Sequence, residues 1–318
     1  MKKLMLLIFA FVSLLVVLSL NLYRKKIKAS ALTETTKNLN QVYRHDTMVN
    51  LVRLNRFVGI EKAITVENYF QFIDSLVKKY DSLTTYKLTE HLLVRANSWI
   101  IDTLQNTDYY RRIVRDSFIY NQKTMIVLPE GNTIVIPDSI HAKKLLSIFK
   151  KTWIDINIPE FKLRIYEDSI MRHECLVRVG RDEQKYLEMS GRVQDLKTKT
   201  GSGIVVKHNR YPKYVNPVNN QEYVVTKRDD GQVTKLPQIP FIETEINGVR
   251  NGQLIHPTTN PITLGKSYSN GCIGTKEDDA WVIYYYAPIG TKIKIRYNLN
   301  IKENENVVIL KDIYGYHD

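Results

Sequence analysis

Cysteine is scarce in this sequence: its 318 residues include only Cys175 and Cys272. That excludes a disulfide framework and leaves room for one bridge at most. There is no internal repeat, no low-complexity tract, and no helix-turn-helix, zinc-ligand or RNA-binding motif. Acidic residues are outnumbered, 33 against 46 basic, for a formal charge of +13. Such a balance suits nucleic acid, acidic lipid or another anionic polymer, and the missing motifs argue against nucleic acid. His45, His91, His141, His173, His208 and His317 show no ligand spacing with carboxylates or cysteines, so no metal and no other cofactor is expected. The length suffices for two domains and one sizeable core.

What is present begins with an apolar run from Leu4 to Leu22, interrupted only by Ser13, Ser19 and Asn21. It is long enough to span a bilayer. Arg24, Lys25, Lys26 and Lys28 follow. By flanking charge alone they favour the cytoplasmic side for the C-terminal body. Ala29-Ser30-Ala31 resembles a cleavage site, but four basic residues between it and the apolar run are unusual for a signal peptide. Residues 1–28 are therefore read as an uncleaved membrane anchor.

Residues 29–150 are expected to be mainly helical. Tyr69, Phe70, Ile73, Leu76, Val77 and Tyr80 share one face at helical spacing, and Leu92, Leu93, Ala96, Trp99, Ile100 and Leu104 repeat the pattern. These aromatics are read as packing residues. Met125 to Pro137 predicts a hairpin turning at Glu130-Gly131-Asn132, and Asp138 or Ser139 caps a further helix. From Trp153 the pattern changes to alternating strands at 161–166, 173–179, 203–208, 222–226 and 291–297, with a short helix over Glu277 to Tyr286. A last strand around Val307 to Leu310 is expected to pack the tail onto the sheet. The polar stretch from Asn209 to Pro240 is a candidate lid or substrate loop. The fold class is thus α+β: a helical N-terminal region followed by a mostly β domain over 151–318.

The chemistry concentrates near the C-terminus, where His256-Pro257-Thr258-Thr259 stands sixteen positions before Cys272 in Ser269-Asn270-Gly271-Cys272-Ile273-Gly274-Thr275. A glycine ahead of the cysteine permits a sharp bend and a run of amides aimed at an oxyanion. A thiol is mostly protonated at neutral pH, so it needs an imidazole or a positive field nearby. His256 is the candidate base. Cys175 is most simply a strand residue facing the core.

Leu254-Ile255-His256-Pro257-Thr258, Ser269-x-Gly271-Cys272-Ile273, Asp279-Ala280 and Pro288-x-Gly290-Thr291-x-Ile293-x-Ile295 together resemble the catalytic core of the YkuD-like L,D-transpeptidases. Upstream, Asn157 to Tyr166 resembles that family's opening strand, Cys175 to Gly180 its second, and Thr198-Lys199-Thr200-Gly201-Ser202-Gly203-Ile204-Val205 a further block; the likeness runs roughly from residue 153 to 299. Two departures touch the motif. Asn270 stands where the family commonly has histidine, and Gly274 where it has Arg or Asn. Lys199 and Gly203 also replace a usual proline and aromatic.

The resemblance implies a membrane-anchored enzyme of the cell envelope, working outside the cytoplasmic membrane on peptidoglycan stem peptides. Cys272 would be the nucleophile of a thioester pathway and His256 its base. Gly271 and Cys272 amides, with the Asn270 side chain, would serve the oxyanion. Ser269 would brace the loop, and the Pro257 carbonyl would hold the imidazole tautomer. An L,D-carboxypeptidase, with water resolving the same thioester, and a non-catalytic peptidoglycan-binding anchor are the alternatives.

Overall fold

A computed structural model describes residues 56–303 and 306–316. The anchor expected at residues 1–28 lies outside them. Among the described residues no helix is long and apolar enough to cross a membrane.

An eight-stranded sheet carries the C-terminal half. From one edge to the other it runs Ile273–Thr275, Leu254–Pro257, Phe241–Ile246, Gly201–Asn209, Lys292–Arg296, Thr152–Asn157, Lys162–Glu167 and Ile170–Leu176. The first two strands are parallel, as are Lys292–Arg296 and Thr152–Asn157; the other neighbours are antiparallel. Just beyond the last strand, Arg178 forms an antiparallel bridge to Gly274 of the first. The two edges of the sheet therefore meet, and the bridge leaves neither of those backbones open there. The opening segment resembling a single strand is in fact a hairpin: Phe161 takes φ 53° between two paired strands.

Alternation along these strands puts Ile154, Ile156, Leu163, Ile165, Val205, Ile242, Ile255, Ile273, Ile293 and Ile295 into one core. Against it lies the helix Glu277–Tyr286, whose residues from Glu277 to Tyr285 are all buried. A helix covered on every side needs a second layer, and the N-terminal residues supply it. Tyr69 and Tyr285 hydroxyls meet at 2.6 Å, Tyr284 and Tyr285 donate to Glu90, and His91 Nε2 donates to the Tyr284 carbonyl at 3.0 Å. Residues 56 to 318 accordingly form one compact unit.

The helix Val66–Asp81 turns Tyr69, Phe70, Ile73 and Leu76 inward, and Asp138 caps Ser139–Lys151 by accepting from the Ile140 and His141 amides. The second helical pattern breaks into Glu90–Arg95 and Trp99–Gln105. Buried Asn97 explains the break, because its side chain bonds the Leu93 carbonyl and both backbone groups of Val135. The predicted hairpin at 125–137 is also corrected. Ile126–Leu128 pairs with Ile64–Thr65, and Thr133–Ile136 with Arg56–Gly59. The turn closes from the Asn132 amide to the Pro129 carbonyl, and Gly131 and Asn132 also bond the backbone of Ile60, but the two arms pair with other strands. Strands of two to four residues are too short to announce themselves by periodicity. Near the C-terminus, Asn306–Ile309 pairs only with Asn300–Glu303; the tail is fastened by Tyr314, buried against Gly180 and Thr198.

His91 and His208 stack at 4.9 Å, both against Tyr284 of the helix Glu277–Tyr286. Burial, with His208 and nearby arginines adding to it, holds His91 at about 3, and burial with Arg210 holds His208 at about 4. Both lie below the usual 6.5, so their contribution to stability is complete above about pH 6.5 and drains as the unfolded chain takes up protons the buried rings refuse. Glu90, pushed up by burial, acts with the opposite sign. His91→Phe is expected to flatten the fall in melting temperature between about pH 6.5 and 4.5. A slope equal to the wild type's would remove His91 from this role.

Candidate active site

The parallel pairing sets His256 opposite Gly274 and Ile255 opposite Ile273. Ile255 and Ile273 point into the core, so alternation sends His256, Gly274 and Cys272 to the other face. Cys272 and His256 are thus one strand apart and one pleat along, about 5 and 7 Å in backbone terms. Both are partly buried. The nucleophile and base expected from the sequence thus lie on neighbouring backbones near the seam where the sheet edges meet.

The imidazole is held from two sides. Its Nδ1 lies 2.9 Å from the Pro257 carbonyl oxygen; a carbonyl only accepts, so Nδ1 carries the proton and Nε2 presents a lone pair. Phe241 packs on the ring at 5.0 Å, and Tyr214 packs on Phe241 at 5.3 Å. Burial, reinforced by the Arg178 charge, lowers His256 to about 4 against the pull of the Pro257 bond. Burial pushes the Cys272 thiol up, opposed by the Leu254 amide and by Arg178. Both shifts favour the uncharged forms, a neutral imidazole and a neutral thiol.

Gly271 takes φ 107°, a backbone conformation that a side chain would strain. Ser269 Oγ donates to the Cys272 carbonyl at 2.5 Å and accepts from the Gly271 amide at 3.2 Å. Thr198 Oγ1 donates to the Gly271 carbonyl and accepts from the Gly180 amide. Asn270 Oδ1 accepts from Arg181 at 2.6 Å. The turn is fixed from both flanks. Thr198, Arg181 and Arg178 are members that residue spacing could not reveal, since they lie more than seventy residues earlier in the chain.

The Asn209–Pro240 stretch is not an unanchored insertion. Val225–Lys227 and Val233–Lys235 pair as a hairpin, and Arg228 between them has a side chain with no exposed surface, bonded to Glu277, Gln122 and Thr234. Few apolar residues were visible there because the anchor is a charge.

One cluster escaped the search for ligand spacing. His173, Cys175 and Asp279 place one ligand atom each within 4.8 Å of one another. His173 Nε2 lies 2.8 Å from Asp279 Oδ1, and neighbouring carboxylates join burial in pushing the Cys175 thiol well up. A hydrogen-bonded His–Asp pair beside a protonated thiol satisfies these groups without an ion. A cavity of about 660 Å³ lies elsewhere, lined by Glu90, His91, His208 and Arg210 among others, and includes neither Cys272 nor His256.

If His256 is the base for Cys272, His256→Ala should slow alkylation of Cys272 at pH 7, followed by intact mass; an unchanged rate would uncouple the two side chains.

The sheet edges join beside Cys272 and His256, and comparison with known proteins finds a likeness for this part of the chain. Residues 151–295 match the YkuD family model, the L,D-transpeptidase catalytic domain. Among solved structures, an L,D-transpeptidase from Mycobacterium smegmatis is 13% identical, with 46% of this chain and 58% of that chain covered and a TM-score of 0.32. An L,D-transpeptidase from Xylanimonas cellulosilytica is 11% identical, covering 75% of this chain and 97% of that one at a TM-score of 0.34. For the C442S mutant of an Enterococcus faecium L,D-transpeptidase the values are 12%, 46%, 50% and 0.29. No curated protein matches the sequence.

Proposed function

We propose that this protein is a peptidoglycan L,D-transpeptidase acting in the cell envelope outside the cytoplasmic membrane. The observation that carries the reading is the arrangement of Cys272 and His256 on one face, with Nδ1–H committed to Pro257 and Nε2 left to accept a proton. As Cys272 Sγ attacks the donor amide carbonyl of a stem tetrapeptide, its proton passes to His256 Nε2. The imidazolium returns that proton to the departing amine of the terminal D-alanine, leaving a thioester. A second stem's amine, deprotonated by the same nitrogen, then displaces the thiol. The Cys272 amide is the oxyanion donor, with the Gly271 amide, which also donates to Ser269 Oγ, beside it. Asn270 and Ser269 brace the turn, and the Asn209–Pro240 segment covers the substrate through Tyr214, which packs on Phe241 of the sheet.

Purified tetrapeptide fragments provide the test. Cross-linked dimers should accumulate together with an acyl adduct on Cys272 detected by intact mass. Tripeptide without dimer would make the enzyme an L,D-carboxypeptidase, and neither product would leave a peptidoglycan-binding anchor. Because His256 is held at about 4, its base form survives well below neutrality. The rate at limiting substrate should fall only as pH drops through about 4; a limb near 6.5 would mean the imidazole is solvated as in free histidine.

A further inference from the structure

Arg178 and Gly274 exchange backbone hydrogen bonds, 2.9 Å from the Arg178 amide to the Gly274 carbonyl and 3.0 Å in return. Gly274 is in turn the lateral partner of His256. Directly opposed residues share a face, so positions 178, 274 and 256 form a row across three backbones with no side chain in the middle. The arginine stem occupies that gap. A Cβ added at Gly274 would lie 2.5 Å from Arg178 Nε, 2.6 Å from Cγ and 3.0 Å from Cδ. Bare backbone at 274 is what lets the guanidinium cross toward the cysteine and histidine.

Among the described residues no carboxylate neutralises it there. Arg95, Arg228 and Arg296 each meet a carboxylate. Among the described residues Arg178 has only a 3.4 Å bond from Nη1 to Thr263 Oγ1, and its buried Nε has no partner. Its charge reaches both His256 and Cys272, and the phenols of Tyr223 and Tyr268 lie within its field. A desolvated cation without a counterion is costly. A guanidinium fork matches a planar carboxylate in shape as well as charge.

We propose that Arg178, laid across Gly274, forms a subsite that binds a carboxylate of the acyl donor beside the amide attacked by Cys272. This rests on the acyl-transfer reading above. The arginine is a specificity residue: it selects anionic donors over their neutral counterparts and takes no proton in the reaction.

Two alkylating agents of nearly equal size, iodoacetate and iodoacetamide, test the subsite without any turnover. The ratio of their rates at Cys272, followed by intact mass, should fall at least tenfold in Arg178→Gln and recover in part in Arg178→Lys. Gly274→Ala, which displaces the stem, should lower the ratio similarly, and combining it with Arg178→Gln should add little. With stem-peptide donors, the penalty for amidating the donor's carboxylate should shrink by at least tenfold in Arg178→Gln. An unchanged alkylation ratio overturns the proposal. So does an equal loss toward both reagents, which would assign the guanidinium to the thiolate. If the ratio falls as expected but no variant, wild type included, turns over peptides, the carboxylate subsite stands and the transpeptidase reading falls.

Discussion

Cys272→Ala and Cys272→Ser are both expected to reduce dimer formation from tetrapeptides below detection while leaving the melting temperature within about 2 °C of wild type. Only sulfur combines adequate nucleophilicity at neutral pH with a good leaving group for the second step. Burial pushes the thiol up, so attack depends on proton transfer to His256 during the step; a serine hydroxyl, far less acidic still, would not respond to so weak a base. The fold should survive because Cys272 is only partly buried and its turn is held by Ser269, Thr198 and Asn270. Cys175 is the internal control: it is 7% exposed and should resist alkylation in the folded protein. Wild-type turnover by the alanine variant would end the assignment of the nucleophile.

The largest loss of stability is expected from Arg228→Met. Its Nη1 lies 2.5 Å from Glu277 Oε1, Nε donates to Thr234 at 2.7 Å and Nη2 to Gln122 at 2.9 Å. Glu277 Oε2 in turn accepts from the Tyr109 amide and from Gln122. Removing one member of such a buried pair strands the other charge and costs about 3–5 kcal/mol. The companion Arg228→Met/Glu277→Met variant should recover much of that, because replacing a whole pair is often nearly neutral. Urea denaturation of the three proteins decides the matter; a loss under about 1 kcal/mol in the single variant would mean water reaches Glu277. The same substitution frees the Val225–Lys235 hairpin, so it should also raise the alkylation rate of Cys272.

Much of this was legible in the sequence because it obeys local rules. The short helix expected over Glu277 to Tyr286 is present with those bounds, and the cysteine stood out by its flanking small residues and the histidine by its place sixteen positions before it. Tautomer control by Pro257 follows from adjacency. What stayed hidden depends on contacts distant along the chain. The short strands at 56–65 carry no periodic signal. The expected hairpin over Met125 to Pro137 does not form as such, because a turn does not say which partner its arms will choose. Arg228 looked like one more solvated charge in a polar loop, since nothing local reveals that Glu277 and Gln122 wait for it. Arg178 was visible as a strand residue, but its relation to Gly274 exists only because the sheet closes on itself.

The helix Glu277–Tyr286 is enclosed partly by strands of the segment that matches the YkuD model, 151–295, and partly by residues before it. The stretch that matches the family model is therefore smaller than the stretch that must fold together. A chain trimmed to the former would lay bare the flank of Tyr284 and Tyr285 that Tyr69, Glu90 and His91 now cover. Recombination at residue 150 would carry the chemistry to a new host only if that host brought its own roof for this helix.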